Sequence, residues 1–290
     1  MQMLWQQIIS GVAVGCIYAL VALGFVLIYK ATEIVNFAQG EFMMIGAFVA
    51  YTFIATLKLP FLPALAFTIL FMFFFGIFLD RVMFRPLVGE GVFALVMVTL
   101  GLSFTLRSVA GMIWTYDTFD FPFVFSEKPL VLGSLVISSV HLTIIVSSVI
   151  LMFLLYLFFR FTDIGIAMQA TSQNQLAAYL MGIGVKKVFL LTWAISAVIA
   201  AMAGILIAPI SFLHANMGFI GLKAFPAAVL GGFGSIPGAI VGGLIIGLSE
   251  NLAGGYLTTG FKNVFAYIIL IIVLMIRPEG IFGIQEKKRV

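Results

Sequence analysis

A glycine-rich strip, Phe225–Glu250 (FPAAVLGGFGSIPGAIVGGLIIGLSE), constrains this chain more than any other segment. It holds seven glycines and two prolines in sequence that is otherwise apolar enough to sit in a bilayer. Lipid offers no hydrogen-bond partner for a bare backbone N–H or C=O. Irregular backbone at membrane depth therefore survives only where it is buried in protein or lines an aqueous path. The strip indicates a transport pathway.

The composition makes the bilayer the solvent of this chain. Of its 290 residues, 63% are hydrophobic and 9% are charged, and the mean hydropathy is +1.24, whereas soluble domains are about a quarter charged. The sequence predicts an all-α polytopic membrane protein, a single transmembrane domain over residues 1–290 with about eight hydrophobic units, one or two of them broken or re-entrant. The clear candidates are Trp5–Tyr29, Phe61–Leu79, Val92–Trp114, Leu142–Phe159, Val188–Ile210 and Val264–Ile276. Two more, Glu41–Leu57 and Ile236–Leu252, are interrupted or preceded by polar and glycine-rich sequence.

Basic residues predict which segments face the cytoplasm. The loop 160–187 carries three basic residues, the tail 277–290 carries four, and the turn Arg81–Arg85 carries two. All three segments are expected on the cytoplasmic side, whereas Tyr116–Lys128, with three acidic residues, suits the outer face.

Parity then requires an extra crossing between residues 187 and 277, because both flanks are expected on the same side. The apolar pattern gives three helices there, at 188–210, 236–252 and 264–276. An additional crossing or half-crossing must lie within Ser211–Gly234, and a broken helix at Ala224–Gly234 would supply it.

A weak internal repeat points the same way. One helix, a broken segment, another helix and then Arg-Pro occur twice, first from Trp5 through Asn36–Glu41 to Arg85–Pro86. The second copy runs from Val188 through Leu230–Gly238 to Arg277–Pro278. Paired interrupted helices in two halves indicate a transporter binding site. The side of the N-terminus stays open, because counting crossings puts it outside and analogy with the second copy puts it inside.

The segment NFAQGE supplies the first candidate pathway residues, Asn36, Gln39 and Glu41. A carboxylate in or near the membrane is costly and usually has a task or a partner. The alternative is that Glu41 lies in the first turn of an interfacial helix, where the helix dipole favours it. Both interpretations remain open at this point.

The strip supplies the second candidate set, Gly231, Gly232, Gly234 and Ser235. These residues are predicted to form a turn that leads into a helix N-terminus with Pro237 in its first turn. Such a terminus can hold a substrate carboxylate. From Gly238 to Gly247 the spacing of small residues is typical of close helix packing instead.

The loop 160–187 is too polar to span a membrane. Ser172 and Gln175 have the spacing of a capping box, and Gly182 is placed to end the helix. Leu176 and Tyr179 share one apolar face with Leu180. A helix of this kind lies on the membrane surface or docks into a groove of a cytoplasmic partner.

The remaining signals are mostly absences. The chain has no GxxxxGK[ST] phosphate loop, no HExxH and no GxSxG, so it is predicted not to be an enzyme, and neither a cofactor nor a metal is expected. The single cysteine, Cys16, excludes an intrachain disulfide. Arg107, near one end of its span, is expected to snorkel to the interface.

Four blocks together resemble a known family: NFAQGEFMMIGAF, GIAMQATSQNQLAAYLMGI, AAVLGGFGSIPGAIVGGLIIGL and RPEGIFG. The chain is similar over nearly its whole length to the shorter membrane permease of bacterial branched-chain amino-acid ABC importers. The loop departs from the family pattern at Gln169, where an arginine is typical. The resemblance implies an inner-membrane protein whose cargo is leucine, isoleucine or valine, although related permeases carry urea, short amides and other amino acids.

The resemblance also implies partners: a second related permease, two cytoplasmic ATP-binding subunits and a periplasmic substrate-binding protein. It places the ATPase-coupling helix within Asp163–Gly182 and selects the docking interpretation of that loop. The coupling residues it implies are Asp163, Gly165, Ser172, Leu176, Tyr179, Leu180 and Gly182. The competing class is a secondary transporter or channel driven by an ion gradient, for which Glu41 and Glu250 are the only plausible ion-coupling sites.

Overall fold

The structure is a computed structural model that describes residues 2–87, 89–122, 129–132, 135–257 and 259–283. These residues are helical apart from connecting segments and one small hairpin, so the predicted all-α class is confirmed. The part of the predicted outer segment at 123–128 and the tail residues 284–290 lie outside the described residues. The elements are α1 (Gln2–Thr32), α2 (Gln39–Tyr51), α3 (Phe61–Leu79), α4 (Val92–Trp114), β1 (Leu130–Leu132), β2 (Leu135–Ile137), α5 (Ser139–Phe161), α6 (Asp163–Gln173), α7 (Gln175–Leu180), α8 (Val185–Ser211), α9 (Phe219–Gly231), α10 (Ile236–Tyr256) and α11 (Thr259–Ile276).

Six helices in the described ranges are long and apolar enough to cross a membrane. Two of them, α3 and α4, begin and end at the predicted residues. The predicted unit at Glu41–Leu57 is one helical run that a polar segment precedes, since α2 continues through a wider turn to Thr56. The predicted unit at Ile236–Leu252 is also unbroken and forms most of helix α10.

Helices α1, α8 and α10 form the centre of the molecule, and α3, α4 and α5 lie at its edge. In α1, 89% of the most apolar stretch is buried, against 17% in α5. Glycines allow the central helices to touch: a Cβ on Gly247 would lie 2.2 Å from the Cα of Gly15, and one on Gly243 would lie 2.4 Å from the amide nitrogen of Ala19. The predicted packing role of the Gly238–Gly247 spacing is confirmed.

The segment after α11 marks one face of the molecule, which we call the tail face (Arg277–Gly283). The amides of Ile281 and Phe282 donate to the carbonyls of Leu230 and Gly231, so α9 ends on that face and α10 begins there. The predicted extra pass between α8 and α10 is therefore α9. Its position differs from the expected broken helix at Ala224–Gly234.

The break lies upstream of that expectation, in the non-helical stretch 212–218 between α8 and α9. The chain stays helical through Pro226, where the proline removes only one intrahelical hydrogen bond. Helix α9 has 13 residues and is about 20 Å long, shorter than a bilayer core of about 30 Å.

The N-terminus lies on the face opposite the tail face, which we call the far face. Helices α1 and α10 are antiparallel, because Gln7 lies beside Gly255 near the end of α10. The end of α1 reaches the tail face, where the side-chain amide of Gln175 donates to the carbonyl of Ala31 at 3.2 Å. The loop 160–187 and the described part of the tail therefore share one face, as the charge pattern predicts.

Two halves of the chain repeat with opposite direction. Each half has a long helix, a non-helical stretch, a short helix and another long helix, namely α1–α2–α3 and α8–α9–α10. Helix α1 runs toward the tail face, whereas α8 runs away from it. The analogy with the second copy, which puts the N-terminus on the same side as the tail, is therefore wrong. The partner of the Asn36–Glu41 break is the stretch 212–218, and the expected match with Leu230–Gly238 is wrong.

Candidate functional site

The short helices α2 and α9 begin side by side within the molecule. A Cβ on Gly40 would lie 2.0 Å from the carbonyl oxygen of Gly218, and one on Gly221 would lie 2.2 Å from the Cα of Gly40. The two N-termini approach this closely because the three contact positions are glycines. Helix N-termini carry partial positive charge, so their meeting point favours an anion.

Asn36 and Gln39 stabilise the non-helical segment before α2 through hydrogen bonds. The Asn36 side chain accepts from the amide of Ala38 at 3.1 Å and donates to the Gln39 side-chain oxygen at 3.1 Å. The Ser196 hydroxyl, 3.2 Å from the same Gln39 oxygen, also lies 3.0 Å from the carbonyl of Gly24. All three polar side chains are fully buried. This network ties the start of α2 to α1 and α8.

Glu41 lies in the first turn of α2 and pairs with Arg107 of α4. Arg107 Nη2 is 2.5 Å from Glu41 Oε1, and the guanidinium lies 3.9 Å from the centre of the Phe219 ring in α9. The expectation that Arg107 snorkels to the interface is therefore wrong. An inward carboxylate and an aromatic face offer this cation partners that the membrane interface does not.

A second ion pair lies one helical turn further along α9. Lys223 Nζ is 3.1 Å from Glu250 Oε1 of α10, and the Tyr18 hydroxyl donates to Glu250 Oε2 at 2.7 Å. Glu250 is among the residues predicted from the sequence, whereas Lys223 is not. The available signal was a lone lysine inside the apolar run FIGLKAFPAAVLG, since an ionisable residue in such a run calls for a partner.

The second candidate set lies at the other end of α9, on the tail face. Gly231 packs on Gly238, where a Cβ would lie 2.1 Å from the Gly238 carbonyl oxygen. Gly232 has φ +93° and lies against the segment after α11, whereas a Cβ on Gly234 would meet nothing within 4 Å. Ser235 caps α10 by accepting from the amide of Gly238 at 3.0 Å, with proline in the first turn as predicted. The structure does not bring these residues together with Asn36, Gln39 and Glu41.

The loop 160–187 forms two helices instead of the single predicted one. Thr162 caps α6 by accepting from Gly165, and Asn174 caps α7 by accepting from the amide of Ala177 at 2.9 Å. The expected capping box at Ser172 is therefore wrong: the Ser172 hydroxyl donates to the Gln169 carbonyl inside α6. Asn174 is a better cap than Ser172 because its backbone is extended, and an N-cap residue needs a non-helical backbone.

The end of this loop matches the expected stop. Gly182 has φ +86° and follows α7 as a helix-terminating glycine. Upstream, Asp163 is exposed in the first turn of α6, and Gly165 packs on the end of α5, where a Cβ would lie 2.4 Å from the Phe158 carbonyl oxygen. In and just after α7, four apolar side chains are between 68% and 84% exposed: Leu176, Tyr179, Leu180 and Met181.

Together these features define a class of protein: a multi-pass membrane protein of two inverted halves, whose short helices begin at a charged, glycine-lined centre, as in solute transporters. The chain belongs to the family described as the permease component of branched-chain amino acid transport systems, whose profile matches residues 7–274.

Curated relatives cover nearly the whole chain. It is 34% identical to the high-affinity branched-chain amino acid transport system permease protein LivH of Escherichia coli (strain K12), over 98% of this chain and 97% of the relative. It is 35% identical to the permease protein BraD of Pseudomonas aeruginosa, with the same coverage. A chain of PsaBC from Streptococcus pneumoniae, solved in complex with a Fab, has a TM-score of 0.51 at 15% identity, covering 96% of this chain and 93% of that one, and shows the fold alone.

Proposed function

We propose that this chain is one permease subunit of an ATP-driven importer that moves leucine, isoleucine or valine across the bacterial inner membrane. The main support for this proposal is that two oppositely directed half-helices meet at Gly40 and Gly218, in a chain whose relatives are transport permeases. Such a centre can be exposed alternately to each side when the two halves rock. The loop 160–187 and the tail face the cytoplasm, in keeping with their basic residues.

Energy comes from partner subunits. The exposed apolar face of α7, with Leu176 69% and Leu180 75% exposed, fits a groove on a cytoplasmic ATP-binding subunit better than it fits solvent. Two such ATPases, a second related permease and a periplasmic binding protein that delivers the cargo complete the importer.

The cargo path runs along α9. Its midpoint lies at Asn36, Gln39 and Glu41, where the half-helices begin, and Gly231–Ser235 line its cytoplasmic end. The buried polar network at the midpoint supports the first assignment. The open space beside Gly234 supports the second.

An ion-driven transporter is less well supported. The two carboxylates it would use, Glu41 and Glu250, are each paired with a cation. A coupling ion would have to displace Arg107 or Lys223 from a largely buried pair, which costs several kcal/mol.

The test is reconstitution in vesicles of the chain alone and of the chain with its partner subunits. We expect labelled leucine uptake only from the ATP-supplied complex. Leu176→Asp or Tyr179→Asp should abolish ATP-dependent uptake without loss of membrane insertion, and the volume-conserving Leu176→Met is the matched control. Uptake by the chain alone would establish the ion-driven alternative, and normal coupling in both Asp variants would overturn the role of α7.

A further inference from the structure

One surface of α9 carries partly exposed cations at membrane depth. The side chains of Arg107 and Lys223 are 14% and 27% exposed. Phe219 and Lys223 are four residues apart on α9 and therefore share a face, and the Arg107 guanidinium lies over that same Phe219. Arg107 is seven residues before the end of α4, about 10 Å along the helix. Charged groups at such depth face water or protein and not lipid, so the surface around Arg107 and Phe219 borders an aqueous path or a partner.

The Glu41–Arg107 pair on this surface is incomplete. One guanidinium nitrogen contacts one carboxylate oxygen, while the buried Nε of Arg107 has no hydrogen-bond partner among the described residues. A guanidinium frequently binds a carboxylate through two parallel N–H donors. The single contact leaves donor capacity for a second carboxylate.

The neighbouring pair differs in this respect. Glu250 has both carboxylate oxygens engaged, one by Lys223 and the other by the Tyr18 hydroxyl. Its side chain is 1% exposed and lies between three helices. This second pair therefore has a structural role, joining α1, α9 and α10.

We propose that Glu41 and Arg107 form an exchangeable pair that binds the zwitterionic backbone of the cargo amino acid. The Arg107 guanidinium takes the cargo carboxylate, the Glu41 carboxylate takes the cargo ammonium, and the half-exposed ring of Phe219 contacts the apolar side chain. The inference rests on the proposed amino-acid transport and assigns the residues that recognise its substrate class.

When the cargo replaces the direct Glu41–Arg107 contact, both buried charges keep a partner of opposite sign. Separating a buried ion pair leaves two uncompensated charges, but an inserted zwitterion supplies one opposite charge to each partner. The N-termini of α2 and α9 lie beside the pair and favour the incoming carboxylate. A solute without both charges, such as urea or leucinamide, leaves at least one member unpaired.

The test separates recognition from structural bridging by neutralising the whole pair. The variant is Glu41→Gln with Arg107→Met, in the complete importer in vesicles with saturating delivery protein. A bridge that serves only the fold tolerates replacement by an uncharged pair. We expect this variant to assemble and hydrolyse ATP normally but to lose about tenfold or more in leucine uptake, a loss of about 1.4 kcal/mol or more. The matched control, Lys223→Met with Glu250→Gln, should keep leucine uptake within about threefold of wild type, about 0.7 kcal/mol.

Two outcomes separate this site from the importer proposal. Wild-type leucine uptake in the Glu41→Gln/Arg107→Met variant would overturn the zwitterion site and leave the importer proposal standing. A wild-type complex that carries urea and no amino acid would overturn both.

Discussion

The amide of Ile281 donates to the carbonyl of Leu230 at 2.8 Å, and this contact joins the segment after α11 to the last turn of α9. Phe282 repeats the contact with Gly231 at 3.2 Å. The bonds satisfy terminal helix carbonyls that would otherwise lack partners. They couple the last helix of the chain to the short helix that carries Phe219 and Lys223.

The first prediction concerns Gly280, at the centre of this junction. It has φ +83°, and a Cβ there would lie 2.7 Å from both the Gly232 amide nitrogen and the Val229 carbonyl oxygen. We expect Gly280→Ala to destabilise the purified protein by about 1–3 kcal/mol through backbone strain and a lost contact. Thermal unfolding in detergent measures the effect. Gly101→Ala is the control, because that exposed α4 position has nothing within 4 Å.

The second prediction uses Gly234, where a larger side chain has room. Gly232→Leu is expected to block uptake, but its Cβ would also collide with Gly283 at 2.9 Å, so it perturbs the fold. Gly234→Leu avoids that collision. If the turn lines the cytoplasmic end of the path, Gly234→Leu should reduce uptake while complex assembly, measured by co-purification, is unchanged. Full uptake would show that this turn only connects two helices.

The third prediction concerns the structural pair Lys223–Glu250. Lys223→Met alone leaves the Glu250 carboxylate buried without its cation and should cost about 3–5 kcal/mol of stability. Lys223→Met with Glu250→Gln should recover most of this loss, because glutamine can still accept from the Tyr18 hydroxyl. Unfolding temperatures of the single and double variants provide the comparison. Equal destabilisation in both would contradict a pairing role for Lys223.

The fourth prediction distinguishes the two possible caps in the loop 160–187. Asn174→Ala removes the cap of α7 and should cost that helix about 1 kcal/mol. Ser172→Ala removes only a hydroxyl bond within α6 and should have a smaller effect. In the assembled importer we expect the Asn174 variant to weaken cargo-stimulated ATPase activity more than the Ser172 variant. The reverse order would restore the capping box that the sequence pattern suggests.

Much of this architecture was predictable because its causes are local. Runs of apolar residues predicted α3 and α4 to the residue, and parity of basic loops predicted an extra pass between α8 and α10. The glycine spacing after Gly238 predicted close packing, since small residues are needed wherever helices touch in lipid. Local turn chemistry was harder: Ser172 and Asn174 are both good caps, and the backbone conformation selects between them.

Composition and periodicity alone established that this chain is an all-α membrane protein with an interrupted centre. The partners of its charges came only with the folded chain: Glu41 and Arg107 are 66 residues apart, and Tyr18 and Glu250 are 232 apart. The opposite direction of the two halves is also visible only in the folded chain. The structure places the second break at 212–218, whereas the sequence predicted it in the glycine strip. Apolar patterns report which residues avoid water, whereas the pairing of buried charges depends on which distant segments pack together.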